Sequence, residues 1–194
     1  MSLGAKLPYR QVYPLACKLA ERLAPACARI EIAGSLRRKE PHVGDIELVA
    51  IPRFERPVMG VTPAECWGWS ALDHLLTVWD SDKRIDIVTG GKLRGKERKY
   101  TQFLFKSSAG QTYTVDLFLQ PDPATWGVNL MIRTGSSDFS RRMVTPKAKG
   151  GLKPDDVEVV DALVWRDGAV VPTPEEQDVF ELWGLAYVAP EKRR

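Results

Sequence analysis

Ala33-Gly34-Ser35-Leu36-Arg37-Arg38-Lys39-Glu40-Pro41-His42-Val43-Gly44-Asp45-Ile46-Glu47-Leu48-Val49-Ala50 holds more chemistry than any other stretch of this chain. A short apolar strand, 30–33, stops at a Gly-Ser pair. Glycine lets a backbone approach a ligand with no side chain in the way. Successive amides in such a turn form an anion-binding concavity. Arg37 and Arg38 follow and can add charge-assisted hydrogen bonds to phosphate. Gly44 then opens a second strand that carries Asp45 and Glu47. Side chains alternate along a strand, so these two acids share one face while Ile46 and Leu48 enter the core. Two carboxylates that close repel unless a cation sits between them. Hard oxygen donors beside substrate phosphates suit Mg²⁺. The bland alternative is a basic surface turn before a strand with a solvated acidic face.

A third acid decides between these readings. Asp116 lies in Tyr113-Thr114-Val115-Asp116-Leu117-Phe118-Leu119, between apolar neighbours, where an unpaired carboxylate is costly to bury. A metal shared with Asp45 and Glu47 accounts for its position. Asp86, in Arg84-Ile85-Asp86-Ile87-Val88, alternates in the same way and is its rival.

The 194 residues suffice for one domain with a sizeable core or two small ones. With 44% hydrophobic residues the chain is no disordered tail. No apolar run reaches the length of a membrane span, and no signal-peptide core opens the sequence. The three cysteines, Cys17, Cys27 and Cys66, form no CxxC pair and read as reduced thiols of a cytoplasmic, non-secreted protein. His42 and His74 complete no zinc spacing. Net charge is +3, but the cations segregate at 37–39, 92–99, 141–142, 147–153 and 192–194, away from acids at 155–158 and 175–181. That pattern suits a polyanionic partner, although each cluster alone reads as a solvated face.

In chain order, Val12, Leu15, Ala16, Leu19 and Leu23 recur at helical spacing. Pro14 belongs in a first turn, which predicts a helix over 13–23. Thr62-Pro63-Ala64-Glu65 resembles a capping box, and Ser70 caps a helix over 70–79. Segments 100–106 and 113–119, joined at Ala109-Gly110, form a hairpin that places Asp116 on an inner strand. Asp122-Pro123 starts a helix that stops at Gly135, and Ser136 or Ser137 caps the next. A hairpin over 163–171 turns at Asp167-Gly168. Thr173-Pro174-Glu175-Glu176 reads as a capping box for a helix ending at Gly184.

Gly34-Ser35-Leu36-Arg37-Arg38, Gly44-Asp45-Ile46-Glu47, Val115-Asp116-Leu117, Arg133-Thr134-Gly135-Ser136, and Thr173-Pro174-Glu175-Glu176 through Leu185-Ala186-Tyr187 are, in this order and spacing, similar to the X-family DNA polymerases. The resemblance implies an α+β fold: a palm over 1–134, a mixed or antiparallel sheet with helices on one face, and a small α/β thumb over 135–194. Lyase and fingers domains are absent from the match, as in the smallest members. It further implies that Asp45, Glu47 and Asp116 are catalytic and hold two Mg²⁺ ions, with Mn²⁺ a substitute. Gly34, Ser35, Arg38 and Gly44 would meet the triphosphate, and Lys6 would reach the γ-phosphate. Arg133, Thr134 and Gly135 would border sugar and base, with Ser137 and Ser140 beside them. Lys96, Arg98, Lys99, Arg141 and Arg142 would contact DNA. The implied function is a monomeric DNA polymerase that extends a primer 3′-hydroxyl with dNTP on primer–template or gapped duplex, in gap-filling repair.

This chain departs from the family pattern at four places. Glu47 stands where aspartate is usual, and Val43 lacks a hydroxyl. Thr114 replaces an arginine two residues before the third carboxylate. Ile132-Arg133 replaces an aromatic pair that helps exclude ribonucleotides. Two other functions compete: a template-independent or RNA-directed nucleotidyltransferase, and a catalytically inactive nucleic-acid-binding module.

Overall fold

The computed structural model describes residues 6–54, 70–89 and 99–194. In chain order its elements are β1 (Leu7–Pro8), α1 (Tyr9–Leu23), β2 (Cys27–Ile32), α2 (Gly34–Arg37), β3 (His42–Val43), β4 (Ile46–Pro52), α3 (Ala71–Ser81), β5 (Ile85–Thr89), β6 (Tyr100–Lys106), β7 (Thr112–Leu119), α4 (Trp126–Thr134), α5 (Ser137–Val144), β8 (Val157–Val160), β9 (Leu163–Arg166), β10 (Ala169–Val171) and α6 (Glu176–Leu182). The class is α+β. Two compact units divide the chain: Met1–Ile32 with Glu40–Pro121, and Ala33–Lys39 with Asp122–Arg194. The boundary after Pro121 lies upstream of the division expected at 134/135, because α4 packs with α5 and α6.

The first unit is built on a five-stranded sheet in the order β2-β4-β7-β6-β5. Its central pair, β4 and β7, is parallel, and its other pairs are antiparallel. Alternation gives the sheet one largely apolar face, on which Ile46, Leu48, Ala50, Val115, Leu117 and Phe103 are fully buried, with Thr101 among them. Helices α1 and α3 supply the matching apolar stripes, Val12, Ala16, Leu19 and Leu23 from the first and Leu72, Leu76 and Trp79 from the second. The Ser70 hydroxyl accepts the Asp73 amide, and the Asp73 carboxylate accepts the Ser70 amide, so α3 begins where the sequence predicts. Helix α1 begins four residues earlier than expected, with Pro14 inside it. Proline costs the helix a bond to the carbonyl four residues back, that of Arg10. Arg10 and Pro14 are both exposed, so that carbonyl stands on the side where water replaces the bond. The capping box read at Thr62 lies outside the described residues.

In the second unit α4, α5 and α6 pack with a three-stranded antiparallel sheet, β10-β9-β8, around Met131, Phe139, Met143, Val164, Phe180 and Trp183. Ser136 caps α5 through the Phe139 amide at 3.1 Å, and Asp122 accepts the Ala124 amide at 2.9 Å. The β9–β10 turn has Asp167 and Gly168 both at positive φ, as a two-residue hairpin turn requires. The sequence reading missed β8. Its turn to β9 uses Asp161 and Ala162 at φ 55° and 65°, with no glycine to signal it. Helix α6 is not capped by Thr173. Glu175 is its N-cap, and the Glu175 amide donates to Asp178 at 2.7 Å. Thr173 instead bonds backbone to backbone with Ala124 and Gly127. A Cβ at Gly127 would run into the backbone of Thr173 and Glu175, so glycine permits this approach.

Candidate active site

The three predicted carboxylates lie in the first unit. The parallel register of β4 and β7 sets Glu47 opposite Asp116, on strands about 4.8 Å apart. Asp45 lies in the bend directly ahead of β4, two residues before Glu47. All three are half-buried. Asp86 is on the edge strand β5, opposite Leu104 and two strands from β7, and it pairs with Lys106 at 3.4 Å. The register therefore makes Asp116, not Asp86, the neighbour of Glu47.

Two uncharged donors hold Asp116. Tyr100 donates its hydroxyl to Asp116 Oδ1 at 2.6 Å, and Gln102 donates Nε2 to the same oxygen at 2.8 Å. Gln102 is the direct register partner of Asp116 on β6, and Tyr100 is the partner of Phe118, with ring centroids 5.2 Å apart. Counting back from the turn at Ala109-Gly110 would have found Gln102 from the sequence. As placed, no three His, Cys, Asp or Glu side chains converge on one point among the described residues. The register sets two carboxylates, Glu47 and Asp116, side by side, and Asp45 lies directly ahead of β4. An all-oxygen, anionic, half-buried donor set of this kind fits a hard divalent cation. Gly44 is half-buried beside Asp45, where both line a small cavity with Leu7, Val12 and Thr114. Lys6 is exposed, directly ahead of β1.

The Gly-Ser turn belongs to the second unit. Gly34, at φ +60°, opens the single turn of α2, and Ser35 follows it half-buried. Arg38 sends Nη1 to the carbonyl oxygens of Thr134 and Gly135, at 2.8 and 2.9 Å. Arg37 donates to the Thr134 hydroxyl at 2.8 Å and forms a two-pronged pair with Glu176 at 2.8 and 2.7 Å. Glu176, 3% exposed, also receives Arg193 at 2.5 Å and the Tyr187 hydroxyl at 3.3 Å. Arg193 is fully buried, and its guanidinium lies 5.3–5.7 Å from the rings of Phe139, Phe180 and Tyr187. Burial alone would push the Glu176 carboxyl up, but hydrogen bonds from Arg37 and Arg193 outweigh it and hold the group below its ordinary range. Burial, and then the Glu176 charge, push the Tyr187 phenol up.

These contacts correct the reading of the basic clusters. Arg37 and Arg193 neutralise a buried acid, and Lys153, also buried, donates to the carbonyls of Pro154 and Val157. None of the three is a free surface cation. Arg141 and Arg142 are exposed on α5, Arg141 pairing with Asp138 at 2.6 Å, and Lys99 is exposed. Lys96 and Arg98 lie outside the described residues. Arg133 is exposed at the end of α4, and Thr134 is fully buried. Ser137 is exposed, while the Ser140 hydroxyl donates to the Ile132 carbonyl at 2.7 Å. A Cβ on Gly135 would meet Ser140 and Phe139. No helix among the described residues is long and apolar enough to cross a membrane.

Residues 129–194 match the family described as DNA polymerase beta thumb. Over 168 residues the chain is 27% identical to DNA polymerase lambda of Rattus norvegicus. That alignment takes in 82% of this chain and spans 28% of the length of the rat protein. Among solved structures, the polymerase beta of Leishmania infantum, described as a ternary P/T complex, superposes with a TM-score of 0.75 at 18% identity. The superposition covers all of this chain and 78% of that one, a likeness of fold.

Proposed function

We propose, from the similarity to the polymerase beta thumb family and to DNA polymerase lambda, that this chain is a nucleotidyltransferase of the X-family type that adds a dNTP to a primer 3′-hydroxyl on gapped or primer–template DNA. The observation that supports this reading is the parallel register that pairs Glu47 with Asp116, with Asp45 just ahead of the same strand. On it, the sheet-based unit ending at Pro121 acts as palm, the segment from Asp122 onward carries the thumb, and a single copy suffices.

Asp45, Glu47 and Asp116 would hold two Mg²⁺ ions. When bound, such ions lower the pKa of the attacking hydroxyl and neutralise charge on the triphosphate and leaving pyrophosphate. Three carboxylates so placed are then a device for holding that charge at a fixed place on and beside two rigid strands. Ser35, Arg38 and the Gly44 amide would meet phosphate oxygens, and Arg133 to Gly135 would border the sugar.

Extension of a labelled primer across a one-nucleotide gap, with Mg²⁺ and all four dNTPs, tests the proposal. Addition of the one nucleotide dictated by the template supports it. Equal addition with the template strand omitted points to a template-independent transferase. No product on any DNA, or full activity in Asp45→Ala, refutes it.

A further inference from the structure

A carboxylate that binds a cation works only if it is held in one orientation, and the groups that hold it set how much charge the cation meets. In the first unit the holders of Asp116 are neutral. Oδ1 accepts from both the Tyr100 hydroxyl and Gln102 Nε2. Both bonds converge on Oδ1, so the two donors hold the carboxylate by one oxygen. Both donors stand on β6, hydrogen-bonded along its whole length to the strand that carries Asp116. Tyr100 is further fixed by its packing on Phe118. Thr114, the residue on the same face one step before Asp116, is buried and uncharged. Of the nearby cations, Lys106 stands on the same strand as the donors but is paired with Asp86.

We propose that Tyr100 and Gln102 are positioning residues for Asp116, two uncharged donors that orient the carboxylate without lowering its charge. The inference rests on the proposed metal-dependent function and says how this particular site is tuned. A guanidinium in their place would orient the carboxylate equally well but would repel the ion it serves. Neutral donors leave the negative charge of Asp116 to the cation, and its orientation is sensitive to the loss of either donor.

Mn²⁺ binding to the free, full-length protein, read from the free-ion paramagnetic resonance signal, tests this without turnover. Tyr100→Phe removes one oxygen and keeps the ring on Phe118. Gln102→Met keeps the length of the side chain and removes the donor. The double variant is expected to bind Mn²⁺ roughly 10–100-fold more weakly than wild type, each single variant less so, with melting temperatures close to wild type. Gap-filling should then need more Mg²⁺ for half-maximal rate, while the KM for dNTP at saturating Mg²⁺ stays near wild type. Thr114→Arg should also weaken Mn²⁺ binding, because it returns a cation to this face. Asp86→Asn, which removes a charge from the same face two strands away, should have little effect. Unchanged Mn²⁺ affinity in the double variant overturns the inference and leaves the proposed function standing. An equal loss in Asp86→Asn overturns it as well, since the effect is then a diffuse acidic face. A wild-type protein that neither binds Mn²⁺ nor extends a primer defeats the proposed function first, and this inference with it.

Discussion

Replacing Glu176 with glutamine should destabilise the second unit severely while leaving its shape unchanged. The carboxylate is 3% exposed and takes four donors: two from Arg37, one from Arg193 and one from Tyr187. Glutamine offers one acceptor oxygen and turns an amide toward guanidinium N–H groups that it cannot accept. Arg193 is fully buried and keeps its charge. Removing one partner of a buried pair costs about 3–5 kcal/mol, because the remaining charge is stranded. Arg37, at 22% exposure, can recover some hydration, which favours the lower end, about 3 kcal/mol. For a unit of this size each kcal/mol lowers the melting point by about 4–8 °C, so a fall of about 12–24 °C is expected. The pH dependence separates this cause from loss of packing. The folded carboxyl is held below its ordinary value, so its contribution is fully present above the unfolded pKa, near 4.5, and is lost as pH falls through the folded value. Wild type and Glu176→Gln should thus differ by a constant amount from pH 5 to 7 and converge in more acidic solution. Hydrogen exchange of α4 and α6 amides across that range measures it. A difference under about 1 kcal/mol at pH 7, or one that persists undiminished at pH 3, refutes the reasoning.

Gly127→Ala should cost about 2 kcal/mol or more, because its Cβ meets the backbone of Thr173 and Glu175 and α6 must move; the urea midpoint reports it. Ile132 is half-buried and Arg133 exposed, and the resemblance to the X-family polymerases implies that they replace an aromatic pair that screens the sugar. Incorporation efficiencies for dNTP and rNTP should therefore agree within about tenfold, and a thousandfold dNTP preference would contradict this. Cys27 is buried, which pushes its thiol up to about 12 against the opposing pull of Arg53. It should stay unmodified by iodoacetamide at pH 8 while half-exposed Cys17 reacts, as peptide mass spectrometry will show.

What was legible in the sequence was local. Glu47 and Asp116 each sit on a strand among apolar neighbours, as the alternation of their segments predicts. The turn at Ala109-Gly110 fixes the hairpin that brings Asp116 inward, and Ser70, Asp122 and Ser136 announce helix starts through their side-chain oxygens. What stayed hidden was mostly non-local or lacked a marker. Arg37 and Arg193 look like surface cations until Glu176, 139 positions from the first, is found between them. Lys153 looked solvated because nothing nearby in sequence shows that it turns inward to backbone carbonyls. The β8–β9 turn escaped notice because an alanine occupies a left-handed position. Helix α1 began early because the penalty of Pro14 falls on its solvent side.

Asp45, Glu47 and Asp116 are proposed to serve one cation site. Crystals grown with Mn²⁺ and a non-hydrolysable dNTP, measured at the manganese absorption edge, address it directly. Anomalous peaks are expected within about 2.2 Å of oxygens from all three carboxylates. Peaks that sit elsewhere, or that leave Asp116 without an ion, would contradict it.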